Sequence, residues 1–191
     1  LWSRGLGDVY KRQPLCHHAT GTPQEYIEAA LEANLIEYGV SCHSPVQPEP
    51  LDDWHMLISD LPTYFEWVDT ARAHAAGRIP VRLGLECDWL PGCQKWIEEL
   101  TGRADWDYLI GSIHYLGDWN FDSPRLLESW SEVGVEEAWT RYWKEYASMA
   151  RSGLFDFLGH PDLIKKFGHR PEGDLRRFYE PAVEIIAEAG C

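Results

Sequence analysis

Four apolar stretches of this 191-residue chain each break off on a side chain able to bind a metal ion. Residues 35–40 run into Ser41-Cys42-His43 and 79–85 into Glu86-Cys87-Asp88; residues 108–113 run into His114 and 154–158 into Gly159-His160-Pro161-Asp162. Short apolar runs bounded by Gly and Pro are strand signals. In parallel α/β folds, the position just past a strand's C-terminal end is where ligand-handling groups sit. Imidazole and carboxylate together suit Zn, Mn or Fe, and a glutamate can bridge two such ions. His18, in Leu15-Cys16-His17-His18-Ala19, joins them from a loop. A lone histidine is more often a satisfied polar group than a ligand, and His55, His74 and His169 are read that way. Four coincident strand exits weigh more, because a structural explanation has to account for each separately.

Those exits need strands held side by side, and the intervening segments supply the crossovers. Thr22, Pro23 and Glu25 form a capping box with proline at the first helical position, ahead of a stripe of Tyr26, Ile27, Ala30, Leu31 and Leu35. Further helices are expected over 56–76, with a fresh start at Pro62, and over 93–100, 135–151 and 174–189. Residues 47–53, 115–124 and 163–171 read as loops. The aromatic run Trp130, Trp139, Tyr142, Trp143 and Tyr146 has helical spacing and is expected to pack in the core, while Trp54, Trp89 and Trp119 flank the exits and are candidate pocket walls. Strand, helix, strand in repeated order with helical crossovers predicts an α/β fold, a parallel sheet or barrel with outer helices, and no internal repeat is apparent.

Composition bounds the partners. At 45% hydrophobic the chain can bury one sizeable core. A net charge of −14 argues against a nucleic-acid or anionic-membrane surface, and no apolar run is long enough to span a bilayer. An anionic small molecule remains admissible, since bound metal reverses the local field. Five cysteines without C-x-x-C spacing suit a reducing compartment, so a cytoplasmic location is expected. Oligomeric state is left open. Residues 1–13, basic, patternless and without a Met start, read as an adapter-like segment outside the fold, which leaves 14–191 as the domain.

The motifs Leu83-Gly84-Leu85-Glu86-Cys87-Asp88, Gly111-Ser112-Ile113-His114-Tyr115 and Gly159-His160-Pro161-Asp162-Leu163-Ile164-Lys165-Lys166-Phe167-Gly168, with Cys16-His17-His18-Ala19 upstream, resemble the polymerase-and-histidinol-phosphatase (PHP) family. The nearest likeness is to its histidinol-phosphatase branch. That resemblance implies a distorted seven-stranded β/α barrel, TIM-like, with a di- or trinuclear divalent metal cluster that hydrolyses small-molecule phosphate monoesters. Carried over position by position, His18, His43, Glu86, His114 and His160 are the metal ligands. Glu86, His114 and His160 are also expected to be catalytic, and Lys166, ahead of Lys165 and Arg170, to hold the phosphate. His17 falls on a variable position.

Departures from the family pattern set further expectations. A first strand ending in His-x-His is expected a few residues before His18, where Tyr10 and Arg12 stand, and an Asp-x-His beyond Cys191, so the barrel is expected to be incomplete at both ends. Cys42 replaces the aspartate before His43 and is expected beside the ligands as a neutral thiol rather than among them. Histidinol phosphate is the expected substrate. A nucleotide, a phosphotyrosine or a sugar phosphate, or an inactive metal-binding fragment, are the alternatives.

Overall fold

The computed structural model describes residues 8–10 and 20–190. Two compact units divide the chain: one runs as far as Cys87 and takes in Leu100–Tyr108, the other holds Asp88–Glu99 and the residues from Leu109 onward.

In the first unit, β1 (Asp8–Tyr10), β2 (Tyr38–His43) and β3 (Val81–Asp88, whose last residue belongs to the second unit) lie parallel. The register runs from Asp8 opposite Tyr38 to Tyr10 opposite Val40, then from Tyr38 opposite Val81 to His43 opposite Glu86. Asp8–Tyr10, inside the segment set aside from the fold, pairs with β2. Three residues are too few to show a period, and backbone pairing needs no particular side chains. Between the strands run α1 (Pro23–Glu32) and α2 (Leu61–Ala75). The capping box forms as expected: the Thr22 hydroxyl accepts the Glu25 N–H at 3.3 Å, and Glu25 accepts the Thr22 N–H at 2.7 Å. Helix α2 makes the fresh start expected at Pro62, which lies in its first turn, and the residues before it form a 3₁₀ turn at Ile58–Asp60 in which Asp60 accepts the Leu57 N–H.

Strand alternation sorts the first unit by face. Val40, Cys42, Leu83 and Leu85 point one way; Ser41, His43, Gly84 and Glu86 point the other. On that second face the ring of Tyr108 lies so close that a Cβ at Gly84 would sit 2.1 Å from it, and one at Gly39 would sit 2.6 Å from its hydroxyl. From α2, Tyr64 donates its hydroxyl to the Gly84 carbonyl at 2.6 Å.

The second unit contains most of α3 (Gln94–Thr101) and of β4 (Tyr108–Ser112), then β5 (Tyr115–Leu116), β6 (Trp119–Asn120), α4 (Ser129–Val133), α5 (Val135–Arg151), β7 (Phe157–Leu158) and α6 (Arg176–Ala189). Strands β4 and β7 are parallel, with Ile110 opposite Phe157. Residues 115–124, expected to be loop, fold into the small β5–β6 hairpin, which turns at Gly117 with φ +70°. Helix α5 has the expected bounds and buries Trp139, Tyr142, Trp143 and Tyr146, packing against α6.

Two strands begin in the same way, a local repetition that the sequence did not announce. Asp107, before β4, accepts the Leu83 N–H at 2.7 Å and donates its own N–H to the Leu83 carbonyl. Asp156, before β7, does the same with Leu109 at 2.7 Å. The carboxylate stands in for one rung of the ladder, and so β7 is shorter than the 154–158 strand expected. The strands and helical crossovers are those of the α/β class.

Two outcomes test this account by urea denaturation. Asp156→Ala leaves the Leu109 N–H without its acceptor and is expected to destabilise by about 1–3 kcal/mol, with Asp156→Asn milder. Gly84→Ala forces Tyr108 off the sheet and is expected to cost about 3 kcal/mol or more; a wild-type midpoint for that variant would show that the ring moves aside freely.

Candidate metal centre

The side chain of Glu86 is fully buried at the exit of β3, and His43 opposite it is nearly so. Their nearest atoms, His43 Nε2 and Glu86 Oε2, are 4.0 Å apart. That exceeds a hydrogen bond, and it lies within the span of two donors each about 2.1 Å from one shared ion. A carboxylate taken out of water costs several kcal/mol unless positive charge meets it. Beneath the pair, the Tyr108 ring covers the glycines, its phenol held protonated because burial raises its pKa far above the ordinary value. Over the exit of β2 folds the loop of Asp52, Trp54 and His55, with Trp54 edge-on to the His43 ring at 4.5 Å.

In the second unit the ends of β4 and β7 bring His114 and His160 together, their rings 4.9 Å apart. Asp88, buried, lies 2.8 Å from Nδ1 of His114 and also accepts the His114 backbone N–H at 3.2 Å. The carboxylate claims the Nδ1 proton, which assigns the neutral tautomer and leaves the Nε2 lone pair available to a metal. His160 has φ +28°, a strained value for a residue other than glycine. Its carbonyl accepts from Tyr142 at 3.1 Å and from the Leu163 N–H at 3.0 Å, and the preceding Gly159 carbonyl accepts from Tyr146 at 2.7 Å. Burial lifts the Tyr142 pKa well above its ordinary value, so that phenol stays a donor.

The sequence-derived residues therefore fall into a His43/Glu86 pair in one unit and a His114/His160 pair in the other, while His18 lies outside the described residues. Lys166 is paired with Asp122, Nζ to Oδ1 2.6 Å, and half exposed. Lys165 pairs with Asp162. Of the histidines set aside, His74 binds Glu28 at the surface and His169 stacks on Trp130 at 4.4 Å. His55 is likewise satisfied, its Nδ1 bonded to Asp52 at 2.9 Å, and its ring lies 5.7 Å from that of His43. Cys42 is buried opposite Leu85, on the face away from His43. Asp88 was missed as a partner of the site, although its place two residues after Glu86 on β3 already put both on one face.

The donor chemistry fits a divalent ion: buried imidazoles and carboxylates, with one imidazole whose tautomer is fixed.

A PHP domain profile matches residues 12–191. A candidate histidinol-phosphatase of Deinococcus radiodurans is 41% identical over 186 residues, 97% of this chain and 71% of that protein. The Bacillus subtilis histidinol-phosphatase is 26% identical over 182 residues, 84% of this chain and 67% of its own length. In fold, the chain resembles the Lactococcus lactis histidinol phosphate phosphatase, solved with zinc, L-histidinol and phosphate: TM-score 0.77 at 20% identity, covering 95% of this chain and 68% of that one. With the profile spanning nearly all of the chain and a 41% identical relative beside it, this α/β protein belongs to the PHP family.

Proposed function

We propose that this protein is a metal-dependent phosphomonoesterase that converts histidinol phosphate to histidinol and phosphate in histidine biosynthesis. The observation that carries the metal chemistry is the His114 ring, fixed by Asp88 and set 4.9 Å from that of His160 at the ends of two paired strands. A carboxylate behind a histidine's second nitrogen is a hallmark of metal ligation. The 41% identical relative supports the substrate.

In this reading His18, His43, Glu86, His114 and His160 hold a di- or trinuclear cluster of Zn, Mn or Fe. When bound, the metal would supply a water of lowered pKa and positive charge against the phosphoryl oxygens. Asp88 keeps the Nε2 lone pair of His114 directed outward, and the fully buried Glu86 contributes negative charge that water does not screen. Lys166 is proposed to meet the phosphate dianion by leaving Asp122. A cytoplasmic location is supported by five cysteines without C-x-x-C spacing; among the described residues no helix is long and apolar enough to cross a membrane.

Phosphate release by the purified protein is the direct test. Histidinol phosphate is expected to exceed AMP, phosphotyrosine and glucose 6-phosphate by at least about tenfold in kcat/KM; equal turnover of all four would remove the substrate assignment and leave the phosphatase. Dialysis against a chelator should abolish activity and zinc should restore it. Asp88→Ala removes the acceptor that holds the Nδ1 proton of His114, and is expected to weaken zinc binding by about 10–100-fold in chelator competition. Unchanged affinity would mean that His114 is not a ligand.

A further inference from the structure

Residues 52–56, which begin at the end of the loop 47–53, make one connected set of contacts ending on His43. Both oxygens of the Asp52 carboxylate lie 2.9 Å from Nδ1 of His55, and Oδ1 also accepts the backbone N–H groups of Trp54 and His55 at 3.0 and 2.9 Å. The His55 side chain is 2% exposed, and its ring stacks on Trp54 with centroids 4.0 Å apart and planes 28° from parallel. Trp54 then meets the His43 ring edge-on, 4.5 Å away at 79°. The loop returns to the same strand end, where the Met56 N–H reaches the His43 carbonyl at 3.4 Å.

We propose that Asp52, His55 and Trp54 are positioning residues for His43, a relay in which a carboxylate fixes one ring plane, that plane fixes the indole, and the indole fixes the imidazole. The assignment rests on His43 being a metal ligand. The imidazole of a ligand needs its orientation set before the ion arrives, and groups behind a ligand commonly act by hydrogen-bonding its second nitrogen. At His114 that group is Asp88, bonded directly. At His43 aromatic contact also orients the ring, with the carboxylate one ring further back. Edge-to-face and stacked pairs each contribute about 0.5–1.5 kcal/mol beyond their burial, enough to select one ring orientation over others.

The relay predicts a pattern that loop stapling alone does not. His55→Ala and Trp54→Ala are each expected to weaken zinc binding by about tenfold in chelator competition. The double variant should lose no more than the worse single one, because both changes cut the same chain of contacts. His55→Phe keeps a flat ring against Trp54 and should recover most of the loss. In the zinc-free protein, the imidazole NMR signals of His43 should shift and broaden in both alanine variants while the melting temperature stays within a few degrees of wild type. Sharp, unshifted His43 signals in folded His55→Ala overturn the relay, whatever the metal result. If His43→Ala itself leaves zinc affinity and stoichiometry at wild-type values, the metal assignment of His43 fails instead, and the zinc-free spectra alone decide the relay. Additive losses of thermal stability from the two alanine changes, with zinc affinity intact, would reduce the contacts to a loop staple.

Discussion

A tyrosine ring lying against two glycines sets where the charged side chains of the first unit can go. Tyr108 covers Gly39 and Gly84 so closely that neither position has room for a Cβ. Polar groups on that face are therefore displaced toward the strand ends, where Ser41, His43 and Glu86 appear in turn. With no bulk beneath and a low-polarity ring as floor, Glu86 is fully buried while still at a strand exit. Such a carboxylate is costly to leave uncompensated, and a multivalent cation is the most economical way to hold several acidic and imidazole groups close together. The same logic suits a chain with a net charge of −14: its negative charge is not spread over a surface meant for a polyanion, and part of it is concentrated at strand exits.

The second unit handles its ligands differently. His114 is fixed by direct hydrogen bonds to Asp88, whose carboxylate accepts both and so decides the ring's orientation and its tautomer. His160 sits on a turn with positive φ, a conformation costing about 1–3 kcal/mol for a residue with a Cβ. The surrounding carbonyls offset that cost by accepting from Tyr142, Tyr146 and the Leu163 N–H.

Much of this was legible before any coordinates. The capping box at Thr22 and Glu25, the bounds of α5 and the strand exits at His43, Glu86, His114 and His160 all follow from local chemistry, such as a hydroxyl three residues before a glutamate or an apolar run stopped by a polar residue. What stayed hidden depends on contacts between segments distant in sequence, or on elements too short to carry a period. Strand β1 has three residues, β5 and β6 two each. The aspartates that begin β4 and β7 reveal their role only through Leu83 and Leu109, 24 and 47 positions away in sequence. His55 is a satisfied polar group as expected, but nothing in the spacing shows that its partner is Asp52 or that the loop doubles back over His43.

The aromatic helix α5 shows why a choice between packing and function is too coarse. Trp139, Tyr142, Trp143 and Tyr146 are buried, as core spacing predicts, yet two of the four place a hydroxyl on the turn carrying His160. A phenylalanine would fill nearly the same volume at either tyrosine. The phenol adds a donor aimed at a carbonyl that a strained turn presents, and burial keeps the Tyr142 phenol protonated, so at ordinary pH this donor does not turn into an acceptor. An outer helix thereby controls the geometry of a residue at the strand ends through its packing face. The orientation of His160 then depends on how α5 is seated, and α5 is seated mainly by apolar burial. Changes in that seating, even ones far from any ionisable group, would reach the site through those two hydrogen bonds.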